Sequence, residues 1–108
     1  MADKHEWTLE DDLICCTEYL NFIFKREKND SAAELLRHLE GLLPHISRGS
    51  LRMKIQNIKQ VALDEGLEDQ MDTTPLKNYS LQCREAFLLA TDALDRERKA
   101  ANGGGGAR

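Results

Sequence analysis

Four cationic side chains stand close together in the middle of the chain, in a stretch without a single acidic residue. The stretch covers residues 41–63, and its cations are Arg48, Arg52, Lys54 and Lys59. Arginine and lysine bind phosphate oxygens, and arginine also forms paired hydrogen bonds with the edge of guanine. The basic stretch therefore predicts contact with an anionic polymer, and nucleic acid is the first candidate.

Acidic residues flank the basic stretch on both sides. Nineteen acidic residues against fifteen basic ones give the 108-residue chain a net charge of −4. The residues Asp64, Glu65, Glu68 and Asp69 follow the basic stretch directly. A negative net charge argues against a protein that coats nucleic acid without specificity. Because four cations neutralise few phosphates, we expect a single copy to bind weakly and in a salt-sensitive way.

Length and composition predict one small all-α domain over residues 1–101. Hydrophobic residues make up 41% of the chain and charged residues 31%, which is typical of a globular protein. Only two prolines and seven glycines occur, and four of the glycines form one terminal run, so a loop-rich or all-β fold is disfavoured. The apolar stretches are too short for a membrane span and the N-terminus is too polar for a secretory signal, so we expect a cytoplasmic protein.

Helix-start residues, helix-stop residues and apolar spacing predict four helices. Their expected spans are about 9–25, 32–43, 48–65 and 76–100. Thr8, Ser31 and Ser47 are the expected N-terminal caps of the first three helices, and Gly66 is the expected stop of the third. We expect the glycine-rich residues 102–108 to form a flexible tail.

Apolar residues at helical spacing give the third and fourth helices one inward face each. The predicted inward residues are Leu51, Ile55, Ile58 and Ala62 in the third helix and Cys83, Ala86, Phe87, Ala90 and Leu94 in the fourth. Leu81, Leu88 and Leu89 lie outside the inward face of the fourth helix. This leftover apolar surface favours a homodimer formed through that helix.

Two segments carry a family resemblance. Trp7-Thr8-Leu9-Glu10-Asp11 opens the first helix, and Gly49-Ser50-Leu51-Arg52-Met53-Lys54-Ile55-Gln56-Asn57 opens the third. Together they resemble the SANT/Myb-like module at the N-terminus of bacterial HNH-endonuclease-like proteins, over residues 7–67. The resemblance implies a three-helix, helix-turn-helix-like core whose third helix enters a DNA groove. It also implies a place in a bacterial or phage restriction, defence or mobile-element system, here without the nuclease domain.

The predicted DNA contacts lie on the two flanks of the third helix's apolar face, and we expect both flanks to face solvent. Arg52 and Gln56 are suited to base edges, whereas Arg48, Lys54 and Lys59 are suited to phosphates. The full predicted set is Arg48, Ser50, Arg52, Lys54, Gln56, Asn57 and Lys59. The alternative interpretation is that this surface is merely the solvated side of a helix.

A second hypothesis makes the protein a binding module for another protein. The acidic residues Asp64, Glu65, Glu68 and Asp69 suit a basic partner surface, such as the groove of a nucleic-acid enzyme that the protein would inhibit or target. Both hypotheses are non-enzymatic, because the sequence holds no catalytic motif that we recognise.

Cysteine and histidine spacing argues against a metal site or another cofactor. The candidate ligands are Cys15, Cys16, Cys83, His38 and His45, and they form no pair at zinc-binding spacing. Cys16 and Cys83 are better explained as small core residues. Trp7 is expected to pack over the first and third helices, and Tyr19 to join the core with its hydroxyl at the surface.

Overall fold

Four α-helices make up the architecture. The computed structural model describes residues 6–25 and 30–106, with side chains described as far as residue 100. The helices are α1 (Leu9–Phe24), α2 (Ala32–Leu42), α3 (Arg48–Asp64) and α4 (Leu81–Gly106), and no strand occurs in the described ranges. The predicted all-α class is confirmed. None of the described helices is both long and apolar enough to cross a membrane.

Side-chain caps fix where the first three helices begin. The Thr8 hydroxyl accepts a hydrogen bond from the backbone N–H of Asp11, and the Asp11 carboxylate accepts one from the N–H of Thr8, which completes a capping box. The hydroxyls of Ser31 and Ser47 cap α2 and α3 by accepting from the backbone N–H groups of Glu34 and Ser50. Gly66 ends α3 in a left-handed conformation, with a φ of 89° that an L side chain rarely adopts. These caps confirm the predicted boundaries.

A short turn over residues 43–47 joins α2 to α3 and sets where α3 begins. Leu43 and Ile46 are both buried in the core, and the backbone N–H of Ile46 donates to the carbonyl of Leu43 at 3.1 Å. These two buried residues, five and two positions before Arg48, hold the start of α3 against the bundle. The residues that follow them on α3 therefore have a fixed orientation.

One core gathers the apolar faces of all four helices, and α4 packs most extensively against α1. Every predicted inward residue of α3 and α4 is buried: Leu51, Ile55, Ile58, Ala62, Cys83, Ala86, Phe87, Ala90 and Leu94. Burying a leucine or phenylalanine side chain stabilises the folded state by roughly 1.5–3 kcal/mol. Apolar spacing alone was therefore sufficient to identify the inward faces of these two helices.

Residues 67–80 form an extended segment between α3 and α4, which we call the strap. Its backbone pairs with other elements at two places, because Asp72 N–H donates to the carbonyl of Asp30 at 2.9 Å and Leu76 N–H to that of Gln56 at 3.0 Å. Met71 of the strap is buried in the core. The strap thus lies along one side of α3 and covers part of it.

The fourth helix differs from its prediction at both ends. It begins at Leu81 rather than near residue 76, since the Ser80 hydroxyl accepts a hydrogen bond from the N–H of Cys83 and so acts as the cap. The helix reaches Gly106, so the flexible tail expected over residues 102–108 is not confirmed. Residues 107 and 108 of that expected tail lie outside the described ranges.

Candidate nucleic-acid interface

Lys54 does not face solvent. It is 5% exposed, and its ammonium nitrogen lies 2.8 Å from Oδ1 of Asp12, whose side chain is fully buried. The ammonium also lies 4.3 Å from the ring centroid of Trp7, within the range of a cation–π interaction. Gln82 completes the cluster by donating to Oδ2 of Asp12 and to the carbonyl of Trp7, both at 2.9 Å. The expectation that Lys54 faces solvent and contacts phosphate is wrong, because the residue neutralises a buried carboxylate of α1.

Lys59 is also paired inside the molecule. Its ammonium donates to Oδ1 of Asp69 at 2.9 Å and to the carbonyl oxygen of the same residue at 2.8 Å. The Asp69 carboxylate further accepts from the Tyr19 hydroxyl at 3.0 Å and from the N–H of Met71 at 2.9 Å. Lys59 therefore fixes the strap to α3 and is not free to bind DNA, and Asp69 is not free for a basic partner.

The Tyr19 hydroxyl, expected at the surface, lies inside the molecule. Burial and the neighbouring charge of Asp69 raise the pKa of this hydroxyl well above its ordinary value of 10, so it stays protonated and donates. Trp7 behaves as predicted, since it is partly buried and packs against the core. Its ring faces Lys54 of α3, so the residue links the start of α1 to the middle of α3.

Arg48 and Arg52 keep their guanidinium groups exposed near the start of α3. A guanidinium nitrogen of Arg48 lies 3.5 Å from Oε2 of Glu40. This distance is longer than that of a good hydrogen bond, and the Arg48 side chain is exposed to solvent. Arg52 makes no ion pair with any part of the chain that the structure describes. Exposed arginines with weak or absent internal partners are available to phosphate oxygens and base edges.

Three further predicted contacts are half-buried: Ser50, Gln56 and Asn57. The Ser50 hydroxyl lies 3.1 Å from that of Ser47, the cap residue. The backbone carbonyl of Gln56 accepts from the N–H of Leu76 in the strap at 3.0 Å. Oδ1 of Asn57 is buried and has no hydrogen-bond partner among the described residues. All three residues thus keep only part of their surface in solvent.

The outward side of α3 is polar and carries no carboxylate before Asp64. We call this surface the α3 face; its members are Arg52, Met53, Gln56, Asn57 and Gln60. Met53 is 55% exposed at its centre. An acid-free helix face with amide and guanidinium groups suits hydrogen bonding to base edges and phosphates. The absence of acids from this part of α3 was already visible in the sequence. The burial of Lys54 and Lys59 was not, so the sequence predicted more exposed cations on this helix than the structure shows.

The acidic residues proposed for a protein partner do not form one uniform free patch. Asp64 accepts hydrogen bonds from the Tyr79 hydroxyl at 2.6 Å and from the Gln60 amide at 2.9 Å, and these bonds lower the pKa of its carboxyl. Glu65 accepts from Arg84 at 2.7 Å. Glu68 is exposed and has no ion-pair partner within the described ranges. Asp64, Glu65 and Glu68 thus stay at the surface, with two of them already engaged.

All three cysteines are free thiols buried in the core. Burial, together with the negative charge of Asp12, raises the pKa of Cys15 to about 12, so its thiol is neutral near pH 7 and a poor nucleophile. His38 pairs with Glu18 at 2.9 Å, and His45 lies 3.6 Å from Asp11. Within the described part of the chain, no group of three or more His, Cys, Asp or Glu side chains could hold a metal ion.

Asp12 is a structurally important residue that none of the sequence patterns above identified. A usable signal existed, because Asp12 stands three, four and seven residues before Cys15, Cys16 and Tyr19, all of which are buried. An acid on the inward face of a helix requires a partner, and a lysine at the edge of another apolar face is the natural one.

No protein-family model, no curated protein and no solved structure matches this chain. The described residues define it as a small four-helix protein with an acid-free, partly cationic face on its third helix.

Proposed function

We propose that this protein is a non-enzymatic DNA-binding or DNA-targeting module that contacts duplex DNA through the start and outward side of α3. The proposed contacts are Arg48, Ser50, Arg52, Gln56 and Asn57. The supporting observation is the exposure of Arg48 and Arg52 on a helix that carries no acid for four turns. The resemblance to SANT/Myb-like modules supports the same role, in the cytoplasm of a bacterium and within a restriction, defence or phage system.

The small number of free cations sets the expected strength of binding. Removing Lys54 and Lys59 from the contact set leaves two arginines to neutralise phosphates, so the logarithm of affinity should fall with the logarithm of salt concentration with a slope of about −2. Weak binding by a single copy follows. A second copy or a protein partner would supply the additional contacts that specific recognition requires.

Fluorescence anisotropy with a labelled duplex oligonucleotide, titrated across salt concentrations, tests the proposal. We expect Arg52→Ala to weaken binding and to reduce the salt slope by about 1. Arg96→Ala is the matched control, because Arg96 is an exposed arginine of α4, away from the α3 face. Absence of binding at low salt, or equal affinity of the native protein and the Arg48→Ala/Arg52→Ala variant, would show that the proposal is wrong.

A second candidate function is protein binding through α4, and one observation favours it. Leu81, Leu88 and Leu89 remain exposed, and Leu81 reaches 67% exposure. Exposed leucines on one element favour contact with a second copy or with a larger protein. Sedimentation velocity of the native protein and of Leu81→Lys/Leu88→Lys tests self-association. If the native protein is a monomer at high concentration, the homodimer hypothesis is wrong. Charge reversal at Glu68 would then test whether the protein binds a basic surface of another protein.

A further inference from the structure

A cleft of about 370 Å³ opens beside the α3 face, between the first turn of α2, the first half of α3 and the strap. Its size falls within the range of small-ligand sites. Its lining residues are Ala32, Ala33, Leu36, Arg48, Arg52, Ile55, Asp72 and Thr73. No pattern in the sequence predicts this cleft, because its three walls come from three separate segments.

Two guanidinium groups line the same cleft. Arg48 and Arg52 stand four residues apart on α3, so their side chains leave the helix on one side. The 3.5 Å contact between Arg48 and Glu40 is weak and exposed, and Arg52 has no ion pair in the described structure. Two arginines that converge on one space match the several oxygens of a phosphate group better than a single carboxylate.

The other residues that line the cleft determine which kind of anion fits it. Ala33 is exposed, and the nearly buried Leu36 and Ile55 add a small apolar area, on which a flat ring can rest. Asp72 also lines the cleft and is held in place because its Oδ1 accepts from the N–H of Ala32 at 2.7 Å, and its carboxylate can accept from a ligand N–H or O–H group. The Thr73 hydroxyl adds a group that donates or accepts. A ligand that satisfies all of these groups carries a phosphate, a ring and hydrogen-bond donors, and a nucleotide has all three.

We infer that this cleft binds a nucleoside monophosphate unit, with the phosphate on Arg48 and Arg52 and the base on the apolar floor. The same unit occurs as a free mononucleotide and as the phosphorylated end of a nucleic-acid strand. The inference builds on the proposed nucleic-acid function, but the two can fail separately. A duplex closed by a loop at each end has no terminal nucleotide, so it engages the α3 face without filling the cleft.

Isothermal titration calorimetry with adenosine monophosphate, with adenosine and with inorganic phosphate tests the free ligand. Anisotropy with a single-stranded oligonucleotide, prepared with and without a terminal phosphate, tests the strand end. We expect adenosine monophosphate or the phosphorylated strand to bind at least about tenfold more tightly than its unphosphorylated counterpart, as loss of hydrogen bonds to a charged group implies. The arm that shows this preference identifies the source of the nucleotide.

Two variants locate the binding in the cleft. Ala33→Leu fills the cleft from an exposed position on α2, and we expect it to abolish the phosphate-dependent binding while binding of the closed duplex persists. Arg52→Gln should weaken both. Arg37→Gln is the control, because Arg37 is an exposed arginine of α2 that does not line the cleft.

Three results would overturn the inference. The first is equal binding of the phosphorylated and unphosphorylated ligands in both arms. The second is phosphate-dependent binding that survives Ala33→Leu. The third is binding of a short peptide with a free terminal carboxylate in the absence of any nucleotide binding, which would make the cleft a peptide site.

Discussion

The two arginines at the start of α3 and the two lysines in its middle carry the same charge but differ in burial and in whether they form internal ion pairs. Lys54 and Lys59 are buried and paired with Asp12 and Asp69, at 2.8 and 2.9 Å. Arg48 and Arg52 stay in solvent. Four cations that predict one binding surface thus divide into two that hold the bundle together and two that remain available to a ligand.

The difference between these regions lies in what packs against each part of α3. The buried lysines stand at the edges of the apolar face, where α1 contributes the carboxylate of Asp12 and the strap contributes that of Asp69. Removing one partner of a buried ion pair leaves an uncompensated charge, whereas an exposed pair contributes little. A cation's role is therefore decided by its distance from the core, and substitutions in the two regions should behave differently.

The largest expected effect is on the Asp12–Lys54 pair. Asp12→Ala should lower the free energy of unfolding by about 3–5 kcal/mol, because it leaves the Lys54 ammonium buried without a counter-charge. Urea denaturation measures the loss. The double variant Asp12→Ala/Lys54→Met should recover much of it, since no buried charge remains.

Glu10→Ala is the control for that prediction, because Glu10 is an exposed acid of the same helix turn. Its effect should stay within about 0.5 kcal/mol. Equal losses for Asp12→Ala and Glu10→Ala would show that the buried pair has no special role.

Two tyrosine–aspartate pairs offer the next comparison, one buried and one exposed. Tyr19→Phe should lower the free energy of unfolding by about 1.5–3 kcal/mol, because the buried Asp69 carboxylate loses a hydrogen-bond donor. Tyr79→Phe removes the matching bond to the exposed Asp64 and should have a much smaller effect. Urea denaturation of both variants measures the difference, and similar losses would show that the buried Tyr19–Asp69 hydrogen bond contributes no more than the exposed one.

Substitution of the two exposed arginines should reduce DNA binding and leave stability nearly unchanged. Arg48→Ala/Arg52→Ala should change the free energy of unfolding by no more than about 1 kcal/mol, since each is a surface substitution. The same variant should lose DNA binding in the anisotropy titration. A large loss of stability with binding intact would mean that these arginines are structural, like the two lysines.

The smallest predicted effect concerns the titration of Asp64. Hydrogen bonds from Tyr79 and Gln60 hold the pKa of this carboxyl below its ordinary value of 3.8. The stabilisation is present above that ordinary pKa and is lost as the pH falls through the lower folded-state value. Tyr79→Phe should move the pKa of Asp64 upward, as measured by carbon-detected NMR titration. An unchanged pKa would show that the 2.6 Å hydrogen bond does not persist in solution.

Local signals predicted most of the helical framework. Thr8, Ser31 and Ser47 cap α1, α2 and α3 as expected, and Gly66 ends α3, because these residues act on their own neighbouring backbone. The start of α4 was missed because the strap carries several polar residues, and which of them caps the helix depends on where the strap leaves α3. Ser80 is that cap.

The candidate site was predicted only in part. Arg48 and Arg52 are exposed as expected, whereas the predictions for Lys54, Lys59 and Asp69 assumed that charged side chains remain in water. Nothing in the spacing along α3 shows which charge will meet a carboxylate from α1 or from the strap. The cleft that Arg48 and Arg52 line is equally invisible in the sequence, since α2 and the strap form its other walls.

The sequence by itself determined the helical class, the caps and the inward faces of α3 and α4, because these follow from backbone hydrogen bonding and apolar periodicity within one segment. Only the tertiary structure decided which cations of α3 became internal partners and which stayed free. The physical reason is that an ion pair forms where two charges are brought together and dehydrated, and that place is fixed by packing between segments far apart in the chain.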